Sequence, residues 1–220
     1  MTNASFYYDT LYPFQDAALK VIRSVDTGFY LTGGTAASRG YLHHRFSDDL
    51  DLFVSDDDRF DLWVGRIIQA LVHGGDWQSQ VILREKRFGR LNLIRNGITL
   101  KIEMINDVPA RVGVVVDHPI LGYMDTAENI LANKITALLD REEPKDFADI
   151  WGFCTKMGLS MKEAITNAES KAAGVFPADL ARLLCTATEA DWATVRWVNP
   201  PPVRGYLSDL NALGEKLLLV

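Results

Sequence analysis

Asn96-Gly97, set between two runs of alternating apolar residues, constrains this chain more than any other dipeptide in it. A two-residue hairpin turn needs positive φ at both central positions, which Asn and Gly accept at little cost. The flanking runs, Leu91 to Arg95 and Thr99 to Ile105, are therefore expected as strands. A third strand is expected over Ser79 to Lys86, with Gly89 in the intervening turn. Side chains alternate along a strand. After the Asn-Gly turn, Leu100, Ile102 and Met104 thus share one face, and Glu103 leaves from the other.

Upstream, Phe14, Ala17, Ala18, Val21 and Ile22 have helical spacing within Pro13 to Val25. Phe29 to Leu31 reads as a buried strand stopped by Thr32-Gly33-Gly34, and Thr35 to Gly40 is small-residue material able to start a short helix. Leu50 to Val54 has the period-two pattern of a strand. A helix over Phe60 to Val72 follows, capped by Asp56 to Asp58 and ended by Gly74-Gly75. After Pro119 the pattern becomes helical. A helix over Asp125 to Asp140 opens with Asp125 and Glu128 in capping-box spacing, and Pro144 suits the first turn of the next one. Further helices are expected over Ser160 to Ala172, Pro177 to Thr188 and Tyr206 to Leu218, with Asn199 to Val203 as an extended connector. The class is α/β (α+β): a mixed sheet flanked by helices over residues 1–120 and a helical region over 121–220.

Asp49 and Asp51 are two apart, so both carboxylates leave one face, about 7 Å apart along the backbone, while Asp48 points the other way. Two carboxylates aimed at one spot resist joint ionisation unless a cation lies between them. Magnesium is the oxygen-seeking ion that fits. If the Glu103 strand lies beside the Asp49 strand, three carboxylates converge, enough for two ions about 3.5–4 Å apart and in-line phosphoryl transfer. Gly33 and Gly34 would let backbone amides approach a triphosphate, and Thr35 would add a hydroxyl donor. The bland alternative for the acids is a solvated strand edge placed against aggregation.

Lys134 shares a helical face with Ile130, Leu131, Ala137 and Leu138. It either snorkels out along its stem or meets a buried anion, and beside a triphosphate the second is preferred. Asp146 and Asp149 lie one turn apart near a helix N-terminus, which favours negative charge whatever the function, and Arg141 is placed to pair with either. Arg84, Lys86, Arg87 and Arg90 crowd one hairpin, as acceptor-phosphate contacts or simply as a solvated tip. His43 and His44 read as surface loop residues, and Cys154 and Cys185 as core thiols with no C-x-x-C pairing.

The 220 residues are 48% apolar and 24% charged, an ordinary globular composition, and the net charge of −6 works against a broad nucleic-acid surface. No apolar run is long enough to span a membrane, and Met1 to Thr10 lacks a secretory pattern, so a cytoplasmic location is expected.

Together, Leu31-Thr-Gly-Gly-Thr-Ala-Ala37, Arg45-Phe-Ser-Asp-Asp-Leu-Asp-Leu52 and Asn129 to Asp149 with Lys134, Arg141 and Lys145-Asp146-Phe-Ala-Asp149 resemble the AbiEii/AbiGii family of nucleotidyltransferase-fold toxins. The resemblance covers roughly residues 28 to 155. It departs at Ala37-Ser38, where the family commonly has Leu after Gly-Gly-Thr-Ala. It implies a polymerase-β-like catalytic half and a helical half closing the active-site cleft, with Asp49 and Asp51 as metal ligands and Lys134 and Asp146 as active-site residues. It further implies NTP as donor, RNA, notably tRNA, as acceptor, and a cognate antitoxin protein as partner. On that expectation Glu103 would complete the metal site, Gly33, Gly34 and Thr35 would bind the β- and γ-phosphates, and Lys134 would neutralise the leaving pyrophosphate. Two alternatives stand beside it: nucleotidyl transfer to a small molecule such as an aminoglycoside, and a catalytically silent binding module of the same fold.

Overall fold

The computed structural model describes residues 3–218. They divide into two compact units. The first comprises residues 3–36, 47–109 and 114–125 and holds a seven-stranded sheet. Its elements are α1 (Asn3–Phe6), a π-helical stretch (Tyr7–Leu11), α2 (Tyr12–Arg23), β1 (Tyr30–Thr32), α3 (Gly33–Thr35), β2 (Leu50–Ser55), α4 (Phe60–His73), β3 (Gln78–Arg84), β4 (Phe88–Arg95), β5 (Ile98–Asp107), β6 (Val116–His118) and β7 (Gly122–Met124). The strand order is β3-β4-β5-β2-β1-β7-β6, and the sheet is mixed: β2–β5 and β1–β7 run parallel, the other pairs antiparallel.

Asn96 and Gly97 turn the chain with φ of 52° and 77°, and Arg95 pairs with Ile98 directly across the turn. Leu91 and Leu93 of β4, Leu100, Ile102 and Met104 of β5, and Leu50, Leu52 and Val54 of β2 are all buried, each worth about 1.5–3 kcal/mol of apolar burial. Gly89 is not a turn residue. It lies inside β4, where an added Cβ would meet Val64 of α4 and Met104 at 3.4 Å, so glycine there serves the packing of helix on sheet. The reversal falls between β3 and β4 instead, where the Glu85 amide donates to the Phe88 carbonyl. Arg59, not an aspartate, is the N-cap residue of α4, and Asp57 contributes by accepting from the Arg59 amide at 2.8 Å.

Asp125 is not the cap of the long helix after Pro119. Its carboxylate accepts from the Thr32 hydroxyl at 2.9 Å and its amide donates to the Leu31 carbonyl, so it latches the end of β7 to β1. Thr126 is the N-cap, its hydroxyl accepting from the Asn129 amide. A shorter hydroxyl one residue closer to the helix wins over the expected capping box.

The second unit comprises residues 37–46, 110–113 and 126–218 and is helical. It contains most of a second π-helical stretch (Ala36–Leu42), then α5 (Ala127–Arg141), α6 (Pro144–Thr155), α7 (Met161–Glu169), α8 (Pro177–Thr186), α9 (Glu189–Thr194) and α10 (Val203–Leu217). Its core gathers Ile130, Leu131, Ile135 and Leu138 of α5, Ile150 and Phe153 of α6, and Leu180, Leu184 and Leu210 beyond. Residues 44–46 run as a short extended segment against residues 196–198, with Arg45 bridged to Trp197. No helix among the described residues is long and apolar enough to cross a membrane.

Candidate active site

Register brings the three expected carboxylates onto one face of the first unit's sheet. Asp51 of β2 is the pairing partner of Glu103 in β5 on one side and of Thr32 in β1 on the other. Asp49 precedes β2 by one residue and shares the Asp51 face by the period of two. Asp48 points away: its carboxylate accepts from the Tyr7 hydroxyl at 2.6 Å, and its carbonyl accepts from the Gln15 amide at 2.8 Å.

Two cations stand among these acids. Lys101 Nζ lies 3.0 Å from Asp49 Oδ2 and 3.5 Å from Glu103 Oε1. Arg90, paired across β4 with Glu103, places Nε at 2.8 Å and Nη2 at 2.6 Å from the same Oε1. Burial works against the Lys101 ammonium, yet its hydrogen bond to Asp49 and the charges of Asp49, Glu103 and Asp51 outweigh it and raise its pKa. Among the described residues, no three acid, His or Cys groups already enclose a point where an ion could sit.

Gly33 adopts a φ of 64°, a left-handed value at which side chains are strained, and a Cβ there would overlap Asp51 Oδ2. The Gly-Gly turn is therefore fitted to the aspartate that sequence spacing singled out. Thr35 is fully buried, and its hydroxyl donates to the Asp49 carbonyl and lies 3.0 Å from Ser47 Oγ. It fixes the backbone that carries Asp49.

The basic residues of the β3–β5 region are largely committed to neighbours. Arg84 pairs with Asp61, Arg87 with Asp56 and with the Asn106 and Asp107 carbonyls, and Arg95 lies over the Phe14 ring.

In the second unit, Lys134 is 4% exposed, with Nζ 2.7 Å from Asp146 Oδ1 and 2.7 Å from Asp149 Oδ2. Both aspartates are fully buried. Arg141 reaches Asp146 at 2.9 Å, and Arg45 forks onto Asp149 with two contacts of 2.7 Å. His44 is not a surface residue: it is 1% exposed, with Nε2 3.0 Å from Asp149 Oδ1. Burial raises the Asp149 pKa, but the charges of Arg45 and Lys134 and the hydrogen bonds from His44 and Arg45 hold it well below the ordinary carboxylate range. Asp146 is lowered against burial by Lys134 and Arg141, and Lys134 is raised against burial by Asp149 and Asp146. The anion awaiting Lys134 on its apolar helix face is thus a pair of carboxylates from α6. Of the thiols, burial pushes Cys154 up to about 12, whereas Cys185 is exposed rather than in the core.

Sequence reasoning missed Lys101 and Arg45 as site residues. Lys101 was within reach of it, since it sits two positions before Glu103 on the same face. Arg45 was not, because its partner Asp149 is distant in sequence and nothing local marks a buried guanidinium.

Acids on one face of a mixed sheet with a glycine turn pressed against them are an arrangement that can serve phosphoryl transfer. The chain belongs to the family described as nucleotidyl transferase AbiEii toxin, type IV TA system, which its sequence matches over residues 19–199. It is accordingly a nucleotidyltransferase of the toxin class, and the reading as a silent binding module falls. The fold is similar to MenT4, a nucleotidyltransferase toxin from Mycobacterium tuberculosis, with a TM-score of 0.67, 16% identity and coverage of 96% of this chain and 83% of that one. It is also similar to JHP933 from Helicobacter pylori, with a TM-score of 0.63, 18% identity and coverage of 99% and 93%. Among curated proteins, none matches the sequence significantly.

Proposed function

We propose that this chain transfers a nucleoside monophosphate from an NTP to a hydroxyl on RNA, tRNA in particular, using Mg2+ held by Asp49, Asp51 and Glu103. The observation that carries the reading is the pairing of Asp51 with Glu103 in adjacent strands, with Asp49 on the same face. The donor set fits the ion in kind, since Mg2+ takes hard carboxylate oxygens. Its present arrangement has Lys101 and Arg90 drawn onto Asp49 and Glu103. When bound, Mg2+ would withdraw charge from the phosphates and ease ionisation of the attacking hydroxyl.

The acceptor oxygen forms a bond to the α-phosphorus, the bond from that phosphorus to the bridging oxygen breaks, and pyrophosphate leaves. The hydroxyl proton passes to Glu103. Gly33 and Gly34 offer backbone amides to the β- and γ-phosphate oxygens, and Thr35 acts by holding Asp49 in place. Lys134 and Asp146 enter through the family resemblance. Within its own unit Lys134 is paired with Asp146 and Asp149. Use of the cellular NTP pool would call for a cytoplasmic location, and the type IV family supplies the expectation of a cognate antitoxin.

A second acceptor class has its own support. Arg84, Arg87 and Arg90 are tied to acids of the chain itself, which leaves fewer cations for an RNA backbone, and the net charge of −6 suits a cationic acceptor such as an aminoglycoside. Incubation with each α-32P-labelled NTP, Mg2+ and either total tRNA or an aminoglycoside panel separates the two, with Asp49→Ala alongside. Label on tRNA, lost in the variant, supports the reading. Label on the aminoglycosides alone replaces the acceptor, and label on neither overturns the activity.

A further inference from the structure

We infer that Lys101 is a built-in counter-ion of the acidic face, one that a divalent cation must displace from Asp49 and Glu103, so that it sets the affinity of these carboxylates for the ion. This rests on the metal reading above. Three carboxylates on one sheet face repel one another, and the chain supplies its own cations to hold them: Lys101 bridges Asp49 and Glu103, and Arg90 grips Glu103. The two cations differ in how easily they leave. Arg90 engages through two nitrogens of a planar fork, from the strand neighbouring its partner. Lys101 holds both acids through one ammonium on a flexible stem, its side chain 35% exposed, with water at hand to receive it. An ion pair left partly open to water in this way is weak, so a doubly charged ion can break it.

Both ion pairs of Lys101 fall on oxygens that the metal reading needs: Oδ2 of Asp49 and Oε1 of Glu103. Arg90 shares Oε1, and its grip does not extend to Asp49. Metal entry is therefore an exchange of one cation for another, with the departing ammonium swinging into solvent. Lys101 is a positioning residue on this account: it keeps the acids gathered before the ion arrives and lowers the apparent affinity by competing for them.

The test measures Mn2+ binding without nucleotide, from the loss of the free-ion electron paramagnetic resonance signal, on wild type, K101M, K101R, D49N and a control, K86M, at an exposed lysine. Circular dichroism verifies that each variant is folded. K101M is expected to bind Mn2+ about five- to tenfold more tightly than wild type, with K101R and K86M within about twofold of it. If D49N weakens binding while K101M leaves it unchanged or weaker, the counter-ion role is overturned and the metal site stands. If D49N binds like wild type, or neither wild type nor K101M binds Mn2+ at millimolar concentration, the metal reading itself is overturned.

Discussion

Gly33 shows how little room surrounds the acids. Its φ of 64° and the overlap that a Cβ would make with Asp51 Oδ2 leave glycine as the residue that fits. Gly33→Ala is expected to cost about 1–2 kcal/mol of stability by urea titration and to abolish transfer. The charged residues of the two units behave differently. Lys134 lies buried between two carboxylates, and Lys134→Met should destabilise the fold by about 3–5 kcal/mol because it strands their charge. Asp49 is partly exposed, and Asp49→Asn should stay within about 1 kcal/mol of wild type while transfer is lost. Equal destabilisation by both variants would refute the distinction. Burial holds the His44 imidazole below its usual pKa, against the pull of Asp149 and with Arg45 and Lys156 adding to the effect. The unfolded chain takes up a proton near pH 6.5 that the folded state resists, so stability is complete above about pH 6.5 and is lost as pH falls through the folded value. The urea midpoint should drop between pH 7 and 5.5, and His44→Gln should flatten that drop; an unchanged slope would assign it to other groups.

At the scale of elements, α5 and α6 meet at a strained joint. Glu142, the C-cap of α5, sits at φ 48° and ψ 39°, the left-handed region where glycine is preferred. Glu142→Gly should raise the thermal midpoint by the equivalent of about 0.5–1 kcal/mol, and a lowered midpoint would mean that the side chain contributes more than its backbone costs. Elements with strong periods or turn chemistry were legible in the sequence: β2, the β4–β5 hairpin, α4 and α5. The elements that escaped are short. β6 and β7 have three residues each, too few to show alternation, and α9 has six, although its Thr188 and Asp191 form a capping box. Gly89 and Asp125 were readable as a turn and a cap, but tertiary packing assigns them to a helix contact and a strand latch. For the acidic face, alternation alone placed Asp49, Asp51 and Glu103 outward from the core. Of the cations that hold them, Lys101 shares the Glu103 face by the same alternation, whereas Arg90 became visible only with the strand register, because it meets Glu103 across strands.

For the whole molecule, the charges that matter are used locally. A net charge of −6 coexists with a sheet face where cations and carboxylates alternate and with a buried acid pair, Asp146 and Asp149, neutralised by the buried Arg45 and Lys134 and by the more exposed Arg141. The family match over residues 19–199 spans residues of both units. The most direct test of nucleotidyl transfer at the acidic face compares wild type with Asp51→Asn in the transfer of α-32P label from NTP to its acceptor at saturating Mg2+. The substitution keeps the shape of the side chain beside Gly33 and removes its charge. A rate lowered by at least about a hundredfold, with an unchanged urea midpoint, is the predicted result. A rate within about threefold of wild type would contradict it.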